Sequence, residues 1–467
     1  MSLDPRRSRS YGRQDGSTDF VRKTEVILRR LSPLFALSLL VAAPPAQAQT
    51  AANTRTVIEV GSPDFRPYPL AVPEARDMAG AKTTATGTEV TNTLRFDFEL
   101  AATFKVLDPK SYLADPSKEG LAAASIKFTD WVSIGAEGLV KVGLTEAGDS
   151  LKADFRFYDV ASGRQLLQKS YAGTLKDGRR FAHTFVDEVI FFLTGSKGIF
   201  RTKIASVRKV GNSRELWVMD VDGSNLRQIT SNGSINLLPN WTRDGGAVLF
   251  TSYIRHNPNL YSTPLGGGRP TLVSGERGLN TGGTMSPDGK KVALTLSRDG
   301  NSEIYTMNPD GTNLVRLTNE WAIDTSPSWS PDSKRLAFVS SRWGDPHIFV
   351  MNADGSNVRR VTERGNYNQT PDWSPKGDLI AFTARDERNV FDIFTVNPDT
   401  KEIKRLTQDQ GNNEEPSFAP SGGHIVFTTT RDGGRSQVYI MAVDGSNQKK
   451  ITDAGGFNTP AWSPYLE

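Results

Sequence analysis

The chain has 467 residues, of which 37% are apolar and 23% charged, a composition typical of a soluble globular protein with two or more domains. It contains no cysteine, which excludes disulfides, thiolate catalysis and cysteine-ligated metal sites. The 42 glycines and 26 prolines predict many turns and therefore many short strands.

The first 48 residues have the pattern of a secretory signal peptide. Arg29 and Arg30 precede an apolar run at residues 34–43 that is too short to span a bilayer, and Ala46-Gln47-Ala48 matches a small-residue cleavage pattern. We therefore expect export and cleavage after Ala48. Of the 56 basic and 52 acidic residues, eight and four lie in this segment, which leaves 48 of each sign and no electrostatic basis for nucleic-acid binding.

Residues 49–195 carry no repeat and are predicted to form a small α/β domain. Val90, Leu94 and Phe98 recur every four residues and indicate a helix. Alternation of apolar residues predicts strands at residues 56–60, 68–72, 139–144 and 153–160.

A second helix is predicted at residues 181–193, where aromatic and β-branched residues recur on one face, and it is expected to end near Gly195. His183 lies in this helix beside Arg180 and Asp187 in the sequence. We interpret His183 as a structural polar contact, with a catalytic role as the alternative.

A turn sequence, Ser-Pro-Asp-Gly at residues 286–289, recurs with variations along the second part of the chain. Its second positions are spaced by 44, 44, 44, 45 and 44 residues, and each copy contains four short runs rich in β-branched and aromatic residues. A period of this length is typical of propeller blades. The sequence therefore predicts an all-β six-bladed propeller at residues 196–467, preceded by the α/β domain.

The two ends of the repeat array predict how the ring closes. The array begins without an inner strand, with strands expected at residues 203–207, 216–220 and 226–230, and it ends with a single inner strand at residues 458–463. The last strand is therefore expected to complete the first blade, which leaves no unpaired strand edge.

Two recurring features are interpreted as packing and turn elements. Asp220-Val221-Asp222-Gly223 has the start of a calcium loop but lacks the later ligands, so a hairpin turn is favoured. One large apolar residue per copy precedes the turn motif and is assigned to packing between blades, with a carbohydrate platform as the alternative. These residues are Trp241, Met285, Trp329, Trp373, Phe418 and Trp462.

The strand order of a blade, lettered A to D from its inner strand, assigns the connections to two faces. The A–B and C–D turns share one face, and the longer B–C and D–A loops share the other. An asparagine precedes strand A in most copies, with threonines nearby, which predicts a ring of small polar side chains around the channel mouth. Such a ring can hydrogen-bond an inserted loop, and turn-forming asparagines without a partner are the alternative.

Motifs in both regions resemble the TolB family, the periplasmic component of the Tol-Pal system. They cover the exported chain in order and stand at residues 131–140 (Trp-Val-Ser-Ile-Gly-Ala-Glu-Gly-Leu-Val), 181–190 (Phe-Ala-His-Thr-Phe-Val-Asp-Glu-Val-Ile), 193–195, 198–205 (Gly-Ile-Phe-Arg-Thr-Lys-Ile-Ala) and 460–466 (Pro-Ala-Trp-Ser-Pro-Tyr-Leu). One copy departs from the pattern, because Gly282-Gly283-Thr284-Met285 replaces the usual Pro-x-aromatic sequence.

The resemblance implies a non-enzymatic periplasmic scaffold without a cofactor, expected to be a monomer that meets the outer membrane only through its partners. It implies binding of the lipoprotein Pal by the propeller and of the inner-membrane-anchored protein TolA by the N-terminus of the exported chain, for outer-membrane integrity and constriction at cell division. The residues expected to bind Pal are Asn236, Asn280, Gly282, Thr325, Asn368, Thr370, Asn413 and Asn458. Those expected to bind TolA are Thr54, Thr56, Val57, Ile58 and Val60.

Two other functions stay open on the residues alone. Six-bladed propellers of similar sequence gate serine peptidases, but the chain has no Gly-x-Ser-x-Gly motif, and we expect no hydrolase domain after residue 467. The four histidines are scattered without metal-ligand spacing. The other alternative is a propeller that binds a sugar or another small ligand in its channel.

Overall fold

The structure is a computed structural model and describes residues 66–80, 83–113, 115, 118–385 and 387–466. The predicted signal peptide, the predicted strand at residues 56–60 and all five residues expected to bind TolA lie outside the described residues.

Among the described residues, the α/β domain has one six-stranded sheet and three α-helices. Its strands are β1 (Tyr68–Ala71), β2 (Arg76–Asp77), β3 (Phe104–Val106), β4 (Gly138–Ala147), β5 (Ser150–Asp159) and β6 (Gln165–Thr174). Its helices are α1 (Ala85–Leu100), α2 (Phe128–Ser133) and α3 (Gly178–Thr194). The sheet order is β3-β1-β4-β5-β6, and β2 pairs with β4. The strands predicted near residues 68, 139 and 153 and both predicted helices are confirmed.

The two long helices form where the sequence places an apolar face and a capping residue. The Thr84 hydroxyl accepts a hydrogen bond from the Gly87 amide at 3.0 Å and caps the start of α1. Val90, Leu94 and Phe98 are fully buried in a core that α1 shares with α3 and the sheet. α3 ends at Gly195, whose φ of +74° favours glycine. Within the described residues, no helix has the length and apolar character needed to cross a membrane.

The propeller has six four-stranded blades, which confirms the predicted fold class. Blade 1 consists of β7 (Lys203–Val210), β8 (Ser213–Asp220), β9 (Arg227–Gln228) and the last strand of the chain, β30 (Phe457–Trp462). Blade 2 has β10 (Asn236–Trp241), β11 (Ala247–Arg255), β12 (Asn257–Pro264) and β13 (Thr271–Ser274). Blade 3 has β14 (Asn280–Met285), β15 (Val292–Leu296), β16 (Glu303–Met307) and β17 (Val315–Arg316).

The other three blades repeat the same strand order. Blade 4 has β18 (Asp324–Trp329), β19 (Arg335–Ser340), β20 (His347–Asn352) and β21 (Arg359–Arg360). Blade 5 has β22 (Asn368–Trp373), β23 (Ile380–Arg385), β24 (Phe391–Val396) and β25 (Ile403–Arg405). Blade 6 has β26 (Asn413–Phe418), β27 (His424–Thr429), β28 (Gln437–Ala442) and β29 (Lys449–Lys450). The A strands β10, β14, β18, β22, β26 and β30 contact one another in succession and form the inner ring.

The last strand closes the ring, as the sequence predicts. β30 pairs antiparallel with β7, so that strand A of blade 1 comes from the end of the chain. The Lys203 amide donates to the Ser463 hydroxyl at 2.9 Å, and the Ser463 amide donates to the Lys203 carbonyl at 2.9 Å. These two bonds fix the register at the point where the two ends of the propeller meet.

Large apolar side chains of the inner strands pack between blades. Trp241 of blade 2 is 5% exposed and donates its indole N–H to the Ala461 carbonyl of blade 1 at 2.9 Å. Trp329 of blade 4 likewise donates to the Thr284 carbonyl of blade 3 at 3.2 Å. The indoles are thus fixed by neighbouring blades, which supports packing over a carbohydrate platform.

Deletion of residues 455–467 is expected to abolish cooperative unfolding, because it removes β30 and exposes the edge of β7. Thermal denaturation followed by circular dichroism measures this. Deletion of residues 464–467 alone is the control, since it keeps β30 and Ser463 and should leave a cooperative melt. A cooperative melt of the longer deletion, unchanged from the full chain, would contradict the role of β30.

Candidate partner-binding face

The α/β domain packs against the face of the propeller that carries the A–B and C–D turns, here called the turn face. The His424 imidazole, which follows the A–B turn of blade 6, lies 2.8 Å from the Leu100 carbonyl at the end of α1. The Asn447 amide, in the C–D turn of the same blade, donates to the Glu99 carbonyl at 2.7 Å. The opposite face, which carries the B–C and D–A loops, is called the loop face.

A buried ion network joins α1 and α3 to blade 1. His183 Nδ1 lies 2.7 Å from Asp97 Oδ2, and His183 Nε2 lies 3.4 Å from Asp222 Oδ2 in the C–D turn. Burial lowers the pKa of His183, but the charges and hydrogen bonds of Asp97 and Asp222 outweigh it and raise that pKa to about 10. The imidazole therefore lies between two carboxylates, one from each domain.

These contacts support a structural role for His183 and identify its partners. The neighbours in sequence are engaged elsewhere, since Arg180 pairs with Asp177 at 2.8 Å and Asp187 accepts from the Phe200 amide at 3.0 Å. The partners come from distant parts of the chain, which the sequence pattern does not reveal.

His183, Asp220 and Asp222 also form a cluster whose ligand atoms all lie within 4.8 Å of one another. Arg179 pairs with Asp222, and Lys203 pairs with Asp220, so both carboxylates are already neutralised. His183 Nδ1 is likewise engaged, since it lies 2.7 Å from Asp97 Oδ2. The Gly223 amide donates to the Asp220 carbonyl at 2.9 Å, so this segment is the predicted hairpin turn.

The polar ring predicted from the sequence lies at the loop-face end of the inner strands, where four of its asparagines tie blades together. Asn236, Asn280, Asn368 and Asn413 are first in their A strands and at most 1% exposed. Asn413 Nδ2 donates to Asp392 Oδ1 of the preceding blade at 3.0 Å. The side-chain amides already have hydrogen-bond partners within the protein, so another protein would have to contact the residues next to them. Binding of a partner by this ring stays a prediction.

Asn458 does not occupy the position that the repeat suggests. It is second in β30 and only half-buried, whereas the first residue is Phe457, which is fully buried against Trp217. The last strand begins seven residues before the second position of its turn, as the others do, so the equivalent position is residue 457 and Asn458 follows it. The ring therefore contains an aromatic residue where the sequence predicts an amide.

Gly282 and Thr370 lie at a bulge that every inner strand contains. The third residue of each A strand has a positive φ, and the pairing with strand B shifts register there. These residues are Leu238, Gly282, Ser326, Thr370, Glu415 and Thr459. Thr325 is second in β18, next to the bulge, and all three predicted residues are half-buried near the channel mouth.

The departure at Gly282-Gly283 has a packing explanation. Proline follows the bulge residue in the other five A strands, at Pro239, Pro327, Pro371, Pro416 and Pro460. A Cβ on Gly283 would lie 2.5 Å from the side chain of Leu260 in the preceding blade. The glycine therefore accommodates Leu260.

Exposed apolar residues concentrate on the loop face, and sequence reasoning did not identify them. Trp321, Trp343 and Ile323 are 79%, 65% and 55% exposed, all in loops that lead into or through blade 4. Further members of this apolar set are Ile235, Ile254 and Leu279. The sequence does contain a signal for this surface, since Trp321 and Trp343 lie outside the repeating Trp position. Large exposed apolar groups often mark interaction sites.

The loop that carries Trp321 and Ile323 is held in place by hydrogen bonds. Asn301 Nδ2 donates to the Glu320 carbonyl at 2.7 Å and to the Ala322 carbonyl at 2.6 Å. The Ile323 amide donates to the Ser341 hydroxyl at 3.2 Å. The loop therefore presents its apolar side chains on an ordered backbone, which lowers the entropy cost of binding.

A cavity of about 350 Å³ lies at the turn-face end of the channel, among the inner-strand tryptophans and Asp372. Burial raises the pKa of Asp372 to about 6, and its carboxylate accepts from the Phe418 amide at 2.6 Å. Ser328 and Ser417, which also line it, donate or accept within the inner ring, since the Trp373 amide donates to the Ser328 hydroxyl at 3.0 Å and the Trp462 amide to the Ser417 hydroxyl at 3.1 Å.

Comparison with known proteins matches both parts of the chain to related families. Residues 192–466 match the family described as the TolB beta propeller domain, and residues 56–166 match the TolB amino-terminal domain. The protein named "Tol-Pal system protein TolB" from Anaeromyxobacter sp. (strain K) is 44% identical over 268 residues, which are 57% of this chain and 60% of that protein. The protein of the same name from Myxococcus xanthus (strain DK1622) is 45% identical over 43% of this chain and 46% of its own length.

A solved structure extends the similarity beyond the propeller. The crystal structure of TolB from Acinetobacter baumannii superposes with a TM-score of 0.74 at 27% identity. The match covers 86% of this chain and 98% of that chain. The sequence matches to the Anaeromyxobacter and Myxococcus proteins span about 60% or less of those proteins.

Replacing Asn413 by Ala is expected to lower the free energy of unfolding by about 1–3 kcal/mol, because buried Asp392 loses a donor. Urea denaturation at neutral pH measures the loss. Asn458→Ala is the matched control, since Asn458 is half-buried and donates to Gly456 at 3.2 Å, and it should cost less than about 0.5 kcal/mol. Equal losses in the two variants would contradict a blade-tying role for the ring.

Proposed function

This chain belongs to the TolB family, and from that premise we propose that it is a non-enzymatic periplasmic component of the Tol-Pal system. The observation that carries the proposal is the match of both the propeller and the amino-terminal domain, in order, to TolB families. Relatives that bear the name Tol-Pal system protein TolB support it. The secretory pattern that ends at Ala48 supports export to the periplasm, with cleavage near that residue.

The propeller binds Pal through the loop face. The α/β domain contacts the turn face at blades 1 and 6, so the loop face is the broader surface available to a second protein. Trp321, Ile323 and Trp343 supply exposed apolar area there, and tryptophan is enriched among the residues that dominate binding energy. Thr325, Gly282 and Thr370 lie nearer the channel mouth, where a loop of Pal reaches polar groups.

The exported N-terminus binds TolA. This part of the proposal rests on the family resemblance and on the strand-like pattern of Thr56, Val57, Ile58 and Val60 after Thr54. An extended segment of this kind can add to the edge of a partner's sheet through main-chain hydrogen bonds. Binding Pal with one region and TolA with another lets one chain connect the two membranes, for outer-membrane integrity and for constriction at division.

The surroundings of the histidines support a function without catalysis. His183 is part of the buried ion network, and His424 bonds to the Leu100 carbonyl. His347 lies 2.8 Å from the Asn368 amide group, and burial lowers the pKa of His347 to about 4. Three of the four histidines thus have structural partners.

The two proposed partners are tested with separate variants of the exported chain. Binding to the purified periplasmic domain of Pal, measured by calorimetry, should weaken more than about tenfold when Trp321 and Trp343 are both replaced by Ala. Phe191→Ala, which removes a 53% exposed aromatic ring from α3, is the matched control and should bind Pal normally. Deletion of residues 49–60 should abolish binding of TolA and leave that of Pal.

The outcomes separate the parts of the proposal. If the unmodified chain binds neither Pal nor TolA, the assignment to the Tol-Pal system is wrong. If the chain binds Pal and the tryptophan variant binds equally well, the loop-face site is wrong. Turnover of a peptidase substrate by the pure protein would contradict the non-enzymatic assignment.

A further inference from the structure

A polar site recurs at the loop-face end of five of the six junctions between blades, the exception being the junction of blades 6 and 1, where Phe457 begins strand A. It combines the residue near the start of strand C, a hydroxyl at the end of strand D and the first residue of the next strand A. At the junction of blades 5 and 6, Asp392 accepts from the Thr407 hydroxyl at 2.7 Å and from Asn413 Nδ2 at 3.0 Å. The carboxylate thus receives donors from the neighbouring elements.

The junction of blades 3 and 4 departs from this arrangement. Asp324 occupies the position held by Asn236, Asn280, Asn368 and Asn413 at other junctions. The strand C residue at this junction is Glu303, and both carboxyl groups are 0% exposed. Asp324 has no N–H to donate, so an acid replaces the amide that elsewhere supplies a hydrogen.

The carboxylate of Glu303 accepts more hydrogen bonds than that of Asp324. Glu303 accepts from the Thr318 hydroxyl at 2.6 Å, the Glu320 amide at 2.8 Å and the Arg316 guanidinium at 2.9 Å. Asp324 Oδ2 accepts from Arg342 at 2.8 Å. Asp324 Oδ1 is buried and has no hydrogen-bond partner among the described residues. A buried oxygen without a partner is costly, and a proton on that oxygen would turn it into a donor.

Two charged groups act on Asp324, namely Glu303 on β16 and Arg342 after β19. Each has a charged partner of its own, since Arg316 on β17 pairs with Glu303 and Glu320 in the following loop pairs with Arg342. Burial raises the pKa of Asp324, and the charge of Glu303 adds to this, against the Ser340 hydroxyl and Arg342. The unpartnered oxygen of Asp324 and its raised pKa both favour the protonated form of this carboxyl group.

We propose that Asp324 is a proton-binding site, whose proton supplies at the blade 3–4 junction the donor that an asparagine amide supplies at the others. The site lies directly under the loop that presents Trp321 and Ile323, because Glu303 also accepts from the Glu320 amide and Arg342 pairs with Glu320 at 3.5 Å. Proton uptake therefore links the acidity of the surroundings to the order of this loop.

Comparison of the full exported chain with Asp324→Asn tests the proposal by urea denaturation between pH 5 and pH 8. The raised pKa of Asp324 gives stability that is complete below 3.8, its unfolded value, and is lost as pH rises through the folded value. The urea midpoint of the unmodified chain should therefore fall relative to that of Asp324→Asn as pH rises. The folding equilibrium constant falls about tenfold for each pH unit that separates the unfolded from the folded pKa of Asp324.

Two further variants make the result decisive. Asp345→Asn removes an exposed carboxylate from the same blade and should keep the pH profile of the unmodified chain. Asn413→Asp places an acid opposite Asp392 and should add a second loss of stability as pH rises. Parallel profiles for the unmodified chain and Asp324→Asn would overturn the proposal, as would failure of Asp324→Asn to fold, since a neutral isostere should be tolerated.

The consequence for the loop face rests on the proposed function. Affinity for the periplasmic domain of Pal should rise between pH 8 and pH 5 for the unmodified chain, and it should change less for Asp324→Asn. If Pal does not bind at any pH, the proposed function fails while the stability profiles still decide the proton site. If Pal binds and both chains show the same pH dependence, the link between Asp324 and the loop is wrong.

Discussion

The pairing of β30 with β7 is the constraint on which the propeller depends, because it joins a strand from the end of the chain to the first blade. Two hydrogen bonds between Lys203 and Ser463, one backbone to backbone and one from the Lys203 amide to the Ser463 hydroxyl, fix its register. Once that register is set, each inner strand is held between two neighbours, and the indoles of Trp241 and Trp329 find carbonyls in the preceding blade. The non-local strand thus converts a linear repeat into a closed core.

Closure also explains which residues repeat most strictly. Each inner strand bends at a bulge whose residue has a positive φ. Proline follows this residue and restricts the backbone in every inner strand except β14. There Gly283 takes its place, because a larger residue would collide with Leu260. The glycine of the C–D turn serves a second purpose, since a Cβ on Gly355 would lie 2.6 Å from the Leu317 carbonyl of the neighbouring blade. Turn residues that local conformation favours are therefore also required by contacts between blades.

The sequence predicted the propeller, its closing strand and the two long helices because these depend on periodicity and on the spacing of turns. It assigned Asn458 to the first position of its strand, which Phe457 occupies, because an asparagine adjacent to the expected position resembles the repeat until the strands are paired. It could not reveal that Asn413 is buried against Asp392, or that His183 bridges Asp97 and Asp222. Those contacts join segments far apart in the chain, and only the packing of blades and domains brings them together.

The blades of the propeller differ in their surfaces because single residues of the repeat have been replaced or have gained contacts outside the propeller. Blades 1 and 6 contact the α/β domain through Asp222 and Asn447, which are ordinary turn residues of the repeat given a second role. In blade 4, Trp321, Trp343 and Asp324 depart from the repeat, and the two indoles remain largely exposed on the loop face although Trp343 also packs on Phe349. A repeat is free to vary where closure does not constrain it, so these departures are the residues on which a binding function would act.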